Sequence, residues 1–398
     1  MNQKSILIVS ILAASLVSCT PKLNTSKVLK DVEQQTRLML TEVSAAKIGK
    51  PELVSPRTME KGQLKMVTSR DWTSGFFPGQ LWLIYDYTGK DEWKSEAQNF
   101  TSNLEREKFN AGTHDMGFKI YTSFGAGYRL TNDSKYRDII IQSAKTLTTR
   151  FRPVTGTIRS WDHNADKWGF PVIIDNMMNL ELLFAATRFT GDSSFYKIAV
   201  AHANTTMKNH FRTDYSSYHV LDYDTLTGKV LKKNTHQGYS HESAWARGQA
   251  WGMYGYTMCY RETKDPVYLQ QAEKIADFIL NHPNLPKDLV PYWDYNAPNI
   301  PNEPRDASAA AILASGLYEL STYSTNGKWY KKMADEILEN LTKNYRSPIG
   351  ENKGFILLHS TGHLPSKGEI DVPIDYADYY YLEAVIRAKK LKEGRSIF

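Results

Sequence analysis

The chain has 398 residues, of which 41% are hydrophobic and 23% are charged. That length suits one large domain or two ordinary ones, and that composition excludes wholesale disorder. The 49 Lys and Arg residues exceed the 43 Asp and Glu residues by 6. No basic run concentrates this excess, so we expect no nucleic-acid partner. The two cysteines exclude a disulfide framework and a cysteine-built zinc site. Aromatic residues reach 12%, which suits both core packing and stacking on sugar rings.

Residues 1–18 have the pattern of a secretory signal peptide. Lys4 precedes an apolar run over residues 6–17, which is too short for a permanent membrane span. The sequence Leu-Val-Ser-Cys at 16–19 resembles a bacterial lipobox. It predicts that Cys19 becomes the lipidated first residue of a periplasmic lipoprotein, attached to the membrane of the cell envelope. An ordinary secretory peptide with an incidental cysteine is the alternative.

A recurring pattern follows a polar tether over residues 19–26. Each copy has an apolar helix, a short polar turn, an aromatic residue and a second helix. The aromatic residue and a small or apolar residue four positions later share one helix face. Polar or glycine-containing turns between helical periods indicate helical hairpins, and their repetition indicates a repeat architecture. The five aromatic anchors are Trp93, Tyr136, Tyr196, Tyr268 and Tyr330.

Two further helices flank the five hairpins. They are amphipathic stretches around residues 27–43 and 375–390. Because both have an apolar face, unlike the polar caps of an open solenoid, we expect them to pair and close a ring. The sequence therefore predicts an all-α, single-domain (α/α)6 barrel over residues 27–398. An open helical solenoid is the alternative.

Acidic, tryptophan, arginine and glycine residues cluster where the first helix of each hairpin begins. We therefore expect them to meet at one mouth of the barrel. Asp306 and Asp375 are explained equally well as helix caps. Capping does not explain Asp175, which follows Pro-Val-Ile-Ile and precedes Asn-Met-Met-Asn. Burial in such an apolar setting raises the pKa of a carboxyl group. Asp115, in His-Asp-Met-Gly-Phe, is the second candidate.

Two carboxylates in a concave, aromatic pocket are typical of glycoside hydrolysis, so Asp175 and Asp115 are the catalytic candidates. Closeness raises the pKa of one member of such a pair. Arg247 follows Trp245 by two residues and suits a substrate carboxylate, because its planar fork can bond both oxygens. The tryptophans that could stack on sugar, or equally belong to the core, are Trp72, Trp161, Trp245 and Trp251.

Three segments closely resemble the unsaturated glucuronyl hydrolases of glycoside hydrolase family 88. They are residues 114–118, 171–179 and 236–251, and the resemblance extends from about Asp71 to Tyr380. It implies an (α/α)6 barrel that removes a 4,5-unsaturated uronic acid from the non-reducing end of lyase-generated oligosaccharides. Glycosaminoglycan-derived substrates are the first expectation, because a positively charged chain tolerates sulfate.

The resemblance also implies a mechanism and a set of site residues. An aspartate protonates C4 of the double bond, water adds at C5 and gives its proton to the same aspartate, and the hemiketal opens. Asp175 matches this acid/base and Asp115 matches the aspartate that tunes and orients it. No metal and no organic cofactor are implied. The side chains that match substrate-binding positions are His219, Gln237, Trp245, Arg247, Trp251, Trp72 and Trp161.

Three alternatives remain open at this point. An unsaturated rhamnogalacturonyl hydrolase shares the fold and the chemistry. A polysaccharide lyase on an α/α toroid uses a Tyr or His base and creates the double bond instead of removing it. A glycan-binding lipoprotein needs the tryptophans but not Asp175. The loop over residues 359–368 is expected either at the mouth, near the next sugar, or as a solvated surface loop.

Overall fold

The computed structural model of the protein describes residues 23–398. The predicted signal peptide, Cys19 and the first part of the tether lie outside the described residues. None of the helices within the described range combines the length and the hydropathy of a bilayer span.

Helices dominate the described chain. In order, its α-helices are α1 (Thr25–Ala46), α2 (Phe76–Thr88), α3 (Asp91–Ser102), α4 (Ala126–Thr131), α5 (Ser134–Thr148), α6 (Glu181–Thr190), α7 (Ser193–His210), α8 (Ala246–Thr263), α9 (Pro266–Leu280), α10 (Ala307–Leu320), α11 (Gly327–Asn344) and α12 (Asp375–Lys392). A π-helix, Gly117–Gly125, runs into α4, and a 3₁₀-helix, Ile174–Asn179, comes just before α6. The shorter 3₁₀-helices are Glu105–Phe109, Asn352–Gly354 and Leu364–Ser366.

The predicted turns join the predicted hairpins. Gly89 and Gly191 end α2 and α6 in the left-handed conformation, at φ 65° and 74°, which glycine adopts without steric cost. Asp133, Asp192 and Asp265 then cap α5, α7 and α9, because each carboxylate accepts a backbone N–H two residues later. The hairpin prediction is confirmed at these turns.

The inner helices form a closed ring. It is built from α2, the π-helix with α4, the 3₁₀-helix with α6, α8, α10 and α12, and α12 packs against both α10 and α2. The outer layer is α1, α3, α5, α7, α9 and α11, with α1 packed on α12. The (α/α)6 barrel is therefore confirmed and the open solenoid is excluded. Helix α1 begins at Thr25, two residues before the predicted start, because the Asn24 side chain accepts the N–H of Lys27.

Among residues 23–398, three small antiparallel sheets accompany the helices of the barrel, and the helical periodicity did not predict them. Their strands have two to eight residues, and the shorter ones are too short for an alternating pattern to be read. The strands are β1 (Leu53–Glu60), β2 (Gln63–Thr68), β3 (Phe151–Arg152), β4 (Thr157–Ile158), β5 (Pro171–Ile173), β6 (Val220–Tyr223) and β7 (Val230–Asn234). The third sheet has the order β5-β6-β7, and its strand β5 ends directly before the 3₁₀-helix that carries Asp175.

Candidate active site

The amino-terminal ends of the inner helices meet around a cavity of about 260 Å³, which we call the catalytic cavity. Trp72 precedes α2, Asp115 precedes the π-helix, and Asp175 lies in the 3₁₀-helix before α6. Arg247 and Tyr376 lie in the first turns of α8 and α12. All five line the cavity. The prediction that the helix starts share one mouth is therefore confirmed.

Asp175 is the most deeply placed carboxyl group of this cavity. Its relative exposure is 7%, and its neighbours Ile174 and Asn176 are fully buried. Its Oδ2 atom is buried without a hydrogen-bond partner in the described structure. Burial raises the pKa of Asp175 to about 6, although His114 and Arg247 oppose this rise. A carboxyl group in this state holds a proton in mildly acidic solution and can give it to a substrate.

Asp115 is held in the opposite state. Thr113 donates its hydroxyl to Oδ2 at 2.6 Å, and the Nε2 atom of His114 lies 3.2 Å from Oδ1. Burial alone would raise the pKa of Asp115, but the interactions with His114 and Thr113 outweigh it and lower the pKa below its usual value. Asp115 is therefore ionised where Asp175 is still protonated. Two carboxyl groups whose environments separate their pKa values are suited to different roles.

Gly117 allows the two catalytic segments to approach closely. A Cβ atom at this position would lie 2.5 Å from the Cα atom of Asn179, at the end of the 3₁₀-helix that carries Asp175. The Asn179 side chain in turn accepts the N–H of Phe118 at 2.9 Å. This contact fixes the segment that bears Asp115 against the segment that bears Asp175.

His219 lies beside Asp175 because β5 and β6 pair: the N–H of Ile174 donates to the carbonyl of His219 at 3.1 Å. The Nδ1 atom of His219 accepts the backbone N–H groups of His236 and Gln237, both at 3.1 Å. The neutral ring must therefore carry its hydrogen on Nε2. That atom is 3.7 Å from Oδ2 of Asp175, so an N–H faces the unpartnered carboxyl oxygen.

Arg247 is buried, at 1% relative exposure, and is already partnered. Its Nη1 atom donates to Asp306 at 2.7 Å and to the carbonyl of Thr361 at 2.8 Å, and its Nη2 atom donates to the carbonyl of Gly362 at 2.6 Å. These bonds use three of its five N–H groups. Within the described chain, the Nε hydrogen and one Nη2 hydrogen remain for a carboxylate. Asp306 is thus both the cap of α10 and the counter-charge of Arg247.

Trp72, Trp161 and Gln237 line the catalytic cavity, as expected for substrate-binding side chains. Trp161 is joined to the Asp115 segment by a β-bridge to Thr113. Gln237 donates its side-chain amide to the carbonyl of Gly362 at 3.1 Å. Gly362 and His363 belong to the loop over residues 359–368 and also line the cavity, so this loop lies at the mouth.

Trp245, Trp251 and His219 are not part of the cavity wall. The Trp245 ring is enclosed by the His219 ring, 4.6 Å away, and the Arg247 guanidinium, also 4.6 Å away. Trp251 is fully buried and packs on Phe118 at 5.0 Å. The role of these two tryptophans in substrate binding stays a prediction; in the structure Trp245 packs on Arg247 and Trp251 packs on Phe118, and both of these residues line the cavity.

The comparisons with known proteins agree with this geometry. The sequence profile described as Glycosyl Hydrolase Family 88 matches residues 50–394. The chain belongs to glycosyl hydrolase family 88. An unsaturated glucuronyl hydrolase of Formosa agariphila is 55% identical over 340 residues, which are 84% of this chain and 85% of the relative. An unsaturated chondroitin disaccharide hydrolase of Streptococcus pneumoniae is 34% identical over 348 residues, covering 86% and 87% of the two chains.

A solved structure of an unsaturated glucuronyl hydrolase specific for heparin superimposes with a TM-score of 0.88. It is 48% identical in sequence, and the match covers 93% of the family 88 chain and 98% of the solved one. The protein is thus a glycoside hydrolase, which decides against the lyase and glycan-binding alternatives.

Sequence reasoning missed several side chains of the family 88 site. Tyr376 lines the cavity with a buried hydroxyl that has no partner in the described chain. It lies at the start of an inner helix, α12, just as the other site residues lie at the starts of their inner helices, and this position was the signal that could have revealed it. Arg57 and Glu369 also line the cavity and bond each other at 2.5 Å. No local pattern connects these two, because 312 positions separate them.

Asp375, the other aspartate that we considered as a helix cap, does not line the catalytic cavity. One of its carboxyl oxygens accepts the N–H of Tyr376 at 2.9 Å, and the other is buried without a partner in the described chain. Burial raises its pKa well above the ordinary value. In the family 88 chain, residues 23–398 hold no group of three or more His, Cys, Asp or Glu side chains placed to bind a metal ion.

Proposed function

We propose that the protein removes a 4,5-unsaturated uronic acid from the non-reducing end of oligosaccharides that polysaccharide lyases produce from glycosaminoglycans. Relatives named for unsaturated glucuronyl and chondroitin disaccharide substrates support this substrate class. The observation that carries the proposal is the pairing of a carboxyl group with a raised pKa, Asp175, and one with a lowered pKa, Asp115, in one cavity.

Asp175 supplies the proton in the first step. Its carboxyl group protonates C4 of the C4=C5 double bond, and positive charge develops at C5 and the ring oxygen. The pKa of about 6 means that the acid is present in mildly acidic solution, and a value close to the working pH suits a group that must both give and take a proton. The N–H dipole on Nε2 of His219, 3.7 Å from Oδ2, stabilises the carboxylate that remains after the transfer by electrostatic attraction inside the buried site.

Asp115 and Asp175 have different roles in the second step, the addition of water. The ionised Asp115 stabilises the positive charge by its own negative charge. Water adds its oxygen to C5, and Asp175, now a carboxylate, takes the proton that the water releases. The product is a hemiketal at C5, which opens and releases the remaining sugar. Asp175 ends the cycle protonated, as it began.

The uronic acid carboxylate is bound by the free edge of Arg247. The Nε hydrogen and the remaining Nη2 hydrogen form a fork that matches the two oxygens of a carboxylate. Asp306, 2.7 Å from Nη1, and the carbonyls of Thr361 and Gly362 hold this fork in place. Trp72 and Trp161 provide apolar surface for the sugar ring.

The test is the ultraviolet absorbance of the conjugated double bond, followed with a panel of lyase-generated disaccharides. We expect the absorbance to fall in the presence of the enzyme and to stay constant with Asp175→Asn. The matched control is Asp222→Asn, a buried aspartate in β6 that does not line the cavity. An absorbance that rises with polysaccharide, or that falls equally with Asp175→Asn, would overturn the proposal.

We also propose that the chain is a lipoprotein of the bacterial cell envelope, attached through Cys19 and facing the periplasm. The support is the sequence alone: a basic residue, an apolar run over residues 6–17 and the lipobox-like segment ending at Cys19. Incorporation of a radiolabelled fatty acid into the full chain, absent from Cys19→Ser, is the expected result. Labelling that persists in Cys19→Ser would contradict it.

A further inference from the structure

Helix α1 begins at the end of the barrel that lies opposite the catalytic cavity. The inner helices begin at the cavity and end at the hairpin turns, so the turns form the opposite end, which we call the turn end. The Gln80 side-chain amide donates to the Thr36 hydroxyl at 3.0 Å, and the Tyr87 hydroxyl donates to the Leu29 carbonyl at 2.8 Å. Helix α1 is therefore antiparallel to α2, and its amino terminus is at the turn end.

The chain between Cys19 and α1 is short compared with α1 itself. Helix α1 begins at Thr25, six residues after Cys19, and has 22 residues. Six residues reach about 22 Å at most when fully extended, whereas a helix of this length is about 33 Å long. If Cys19 carries an acyl anchor, the mouth of the barrel cannot face the bilayer. The start of α1 would then be about 33 Å or more above the lipid, beyond the reach of the tether.

Positive charge is concentrated in one part of the turn end. This part consists of the start of α1, the start of α11 and the end of α12, and both α1 and α11 pack on α12. Its segments, residues 25–31, 327–332 and 389–398, hold nine Lys and Arg against two Asp and Glu and the terminal carboxylate. The four short hairpin turns, residues 88–91, 131–134, 190–193 and 263–266, hold two Lys and four Asp. The positive part of the turn end, where the tether enters, therefore suits anionic lipid headgroups.

Exposed aromatic side chains accompany this charge. Trp329 lies in the first turn of α11 with a relative exposure of 45%, and the Nζ atom of Lys332 lies 5.4 Å from its ring. Phe398, at the carboxyl terminus, has a relative exposure of 48%. Tryptophan is enriched at membrane–water interfaces, and lysine can lay its apolar stem on the hydrocarbon boundary while its ammonium group contacts headgroups. This combination is typical of a surface that lies on a membrane.

We propose that the protein rests on the membrane through the part of its turn end that α1, α11 and α12 form, and that the mouth of the barrel opens away from the bilayer. The partner is a surface of anionic phospholipid headgroups. The inference rests on the proposed acylation of Cys19 and is independent of the hydrolytic activity. Oligosaccharides therefore reach the catalytic cavity from solution and not along the membrane surface.

The test locates both ends of the barrel relative to the lipid. Thr325→Cys places a thiol in the exposed turn before α11, and Ile48→Cys places one at an exposed position just beyond the other end of α1. Cys259 is buried and Cys19 would be acylated, so bimane labels the introduced thiol alone. The lipidated full chain is reconstituted in phosphatidylglycerol vesicles that contain a lipid with a nitroxide headgroup. We expect the bimane fluorescence to be quenched in Thr325→Cys and to persist in Ile48→Cys. Quenching in Ile48→Cys alone, in both variants or in neither would overturn the proposal.

Removal of charge tests the contact with headgroups. In labelled Thr325→Cys, the further substitutions Lys328→Ser, Lys331→Ser and Lys332→Ser should abolish most of the quenching. The physical reason is that each lysine near an anionic surface contributes about fivefold to its binding. Vesicles of neutral phosphatidylcholine should reduce the quenching in the same way. Quenching that survives both changes would overturn the proposed partner.

The matched control removes three lysines near the other end of α1. Lys50, Lys61 and Lys65 are exposed, and they follow α1 and occupy the β1–β2 hairpin. Their replacement by serine should leave the quenching of Thr325→Cys unchanged, and an equal loss would overturn the proposal. Failure of the proposed acylation is distinguishable, because fatty-acid labelling of Cys19 reports it separately. An acylated chain with an unquenched Thr325→Cys label refutes the docking surface alone.

Discussion

Replacing Asp175 by asparagine should abolish turnover and, at neutral pH, stabilise the fold. The substitution removes the ionisable proton but keeps the shape of the side chain. Since general acid–base groups contribute about 100- to 10,000-fold in rate, we expect kcat to fall by that factor. In the unaltered enzyme, kcat/KM should fall as pH rises above about 6, because Asp175 loses its proton there.

The stability effect follows from the pKa of Asp175. Burial raises it from 3.8 to about 6, so the folded state holds this proton more tightly than the unfolded state. The associated stability is complete at a pH below 3.8 and is lost as pH rises through about 6. Each tenfold change in proton affinity is about 1.4 kcal/mol, so the full loss is about 3 kcal/mol. About 2 kcal/mol of it falls between pH 4.5 and pH 8. The Asp175→Asn variant would avoid this cost, because its amide does not ionise.

Denaturant unfolding of both proteins at pH 4.5 and pH 8 measures this difference. The advantage of Asp175→Asn should grow by about 2 kcal/mol between these two pH values. Asp115→Asn is the matched control. Because the pKa of Asp115 is lowered from 3.8 in the folded state, its carboxylate stabilises the fold at both pH values, and this contribution is lost only as pH falls below 3.8 through the lowered pKa. The stability difference between Asp115→Asn and the unaltered enzyme should therefore hardly change between about pH 4.5 and pH 8. An advantage of Asp175→Asn that is independent of pH would refute the reasoning.

Three other variants test the supports of the site. His219→Ala should reduce kcat by about tenfold to a hundredfold, because Asp175 loses the N–H group that faces it. The control is His282→Ala, which should leave steady-state kinetics unchanged because His282 does not line the cavity. Arg247→Lys should raise KM and lower the free energy of unfolding by about 3 kcal/mol, because lysine cannot hold Asp306 and both carbonyls. Gly117→Ala should lower kcat, and it should lower the free energy of unfolding by about 1–3 kcal/mol, because the added Cβ atom would displace the Asn179 backbone. A normal melting curve together with full activity would contradict the role of this contact.

The amino-acid sequence by itself determined the repeat and the mouth of the barrel, because both depend on local signals. Helical hairpins are set by apolar periodicity, by capping aspartates such as Asp192 and by left-handed glycines such as Gly191. The clustering of unusual residues at helix starts is also local, and an inner ring places those starts together. Asp175 was identifiable as a candidate catalytic residue from its apolar sequence neighbours alone, and in the structure burial does raise its pKa.

Tertiary structure decided how these residues are used. Ring closure brings residues that are far apart in sequence into contact, such as Arg57 with Glu369 and Arg247 with Gly362. Ring closure also decides which tryptophan faces the cavity. Trp72, Trp245 and Trp251 all lie near the start of an inner helix in the sequence, but only Trp72 lines the cavity, whereas Trp245 and Trp251 pack behind the residues that line it. A sequence pattern records the face of a helix on which a side chain lies. The depth of that side chain, its partner and its pKa depend on the neighbouring helices, which only the closed barrel supplies.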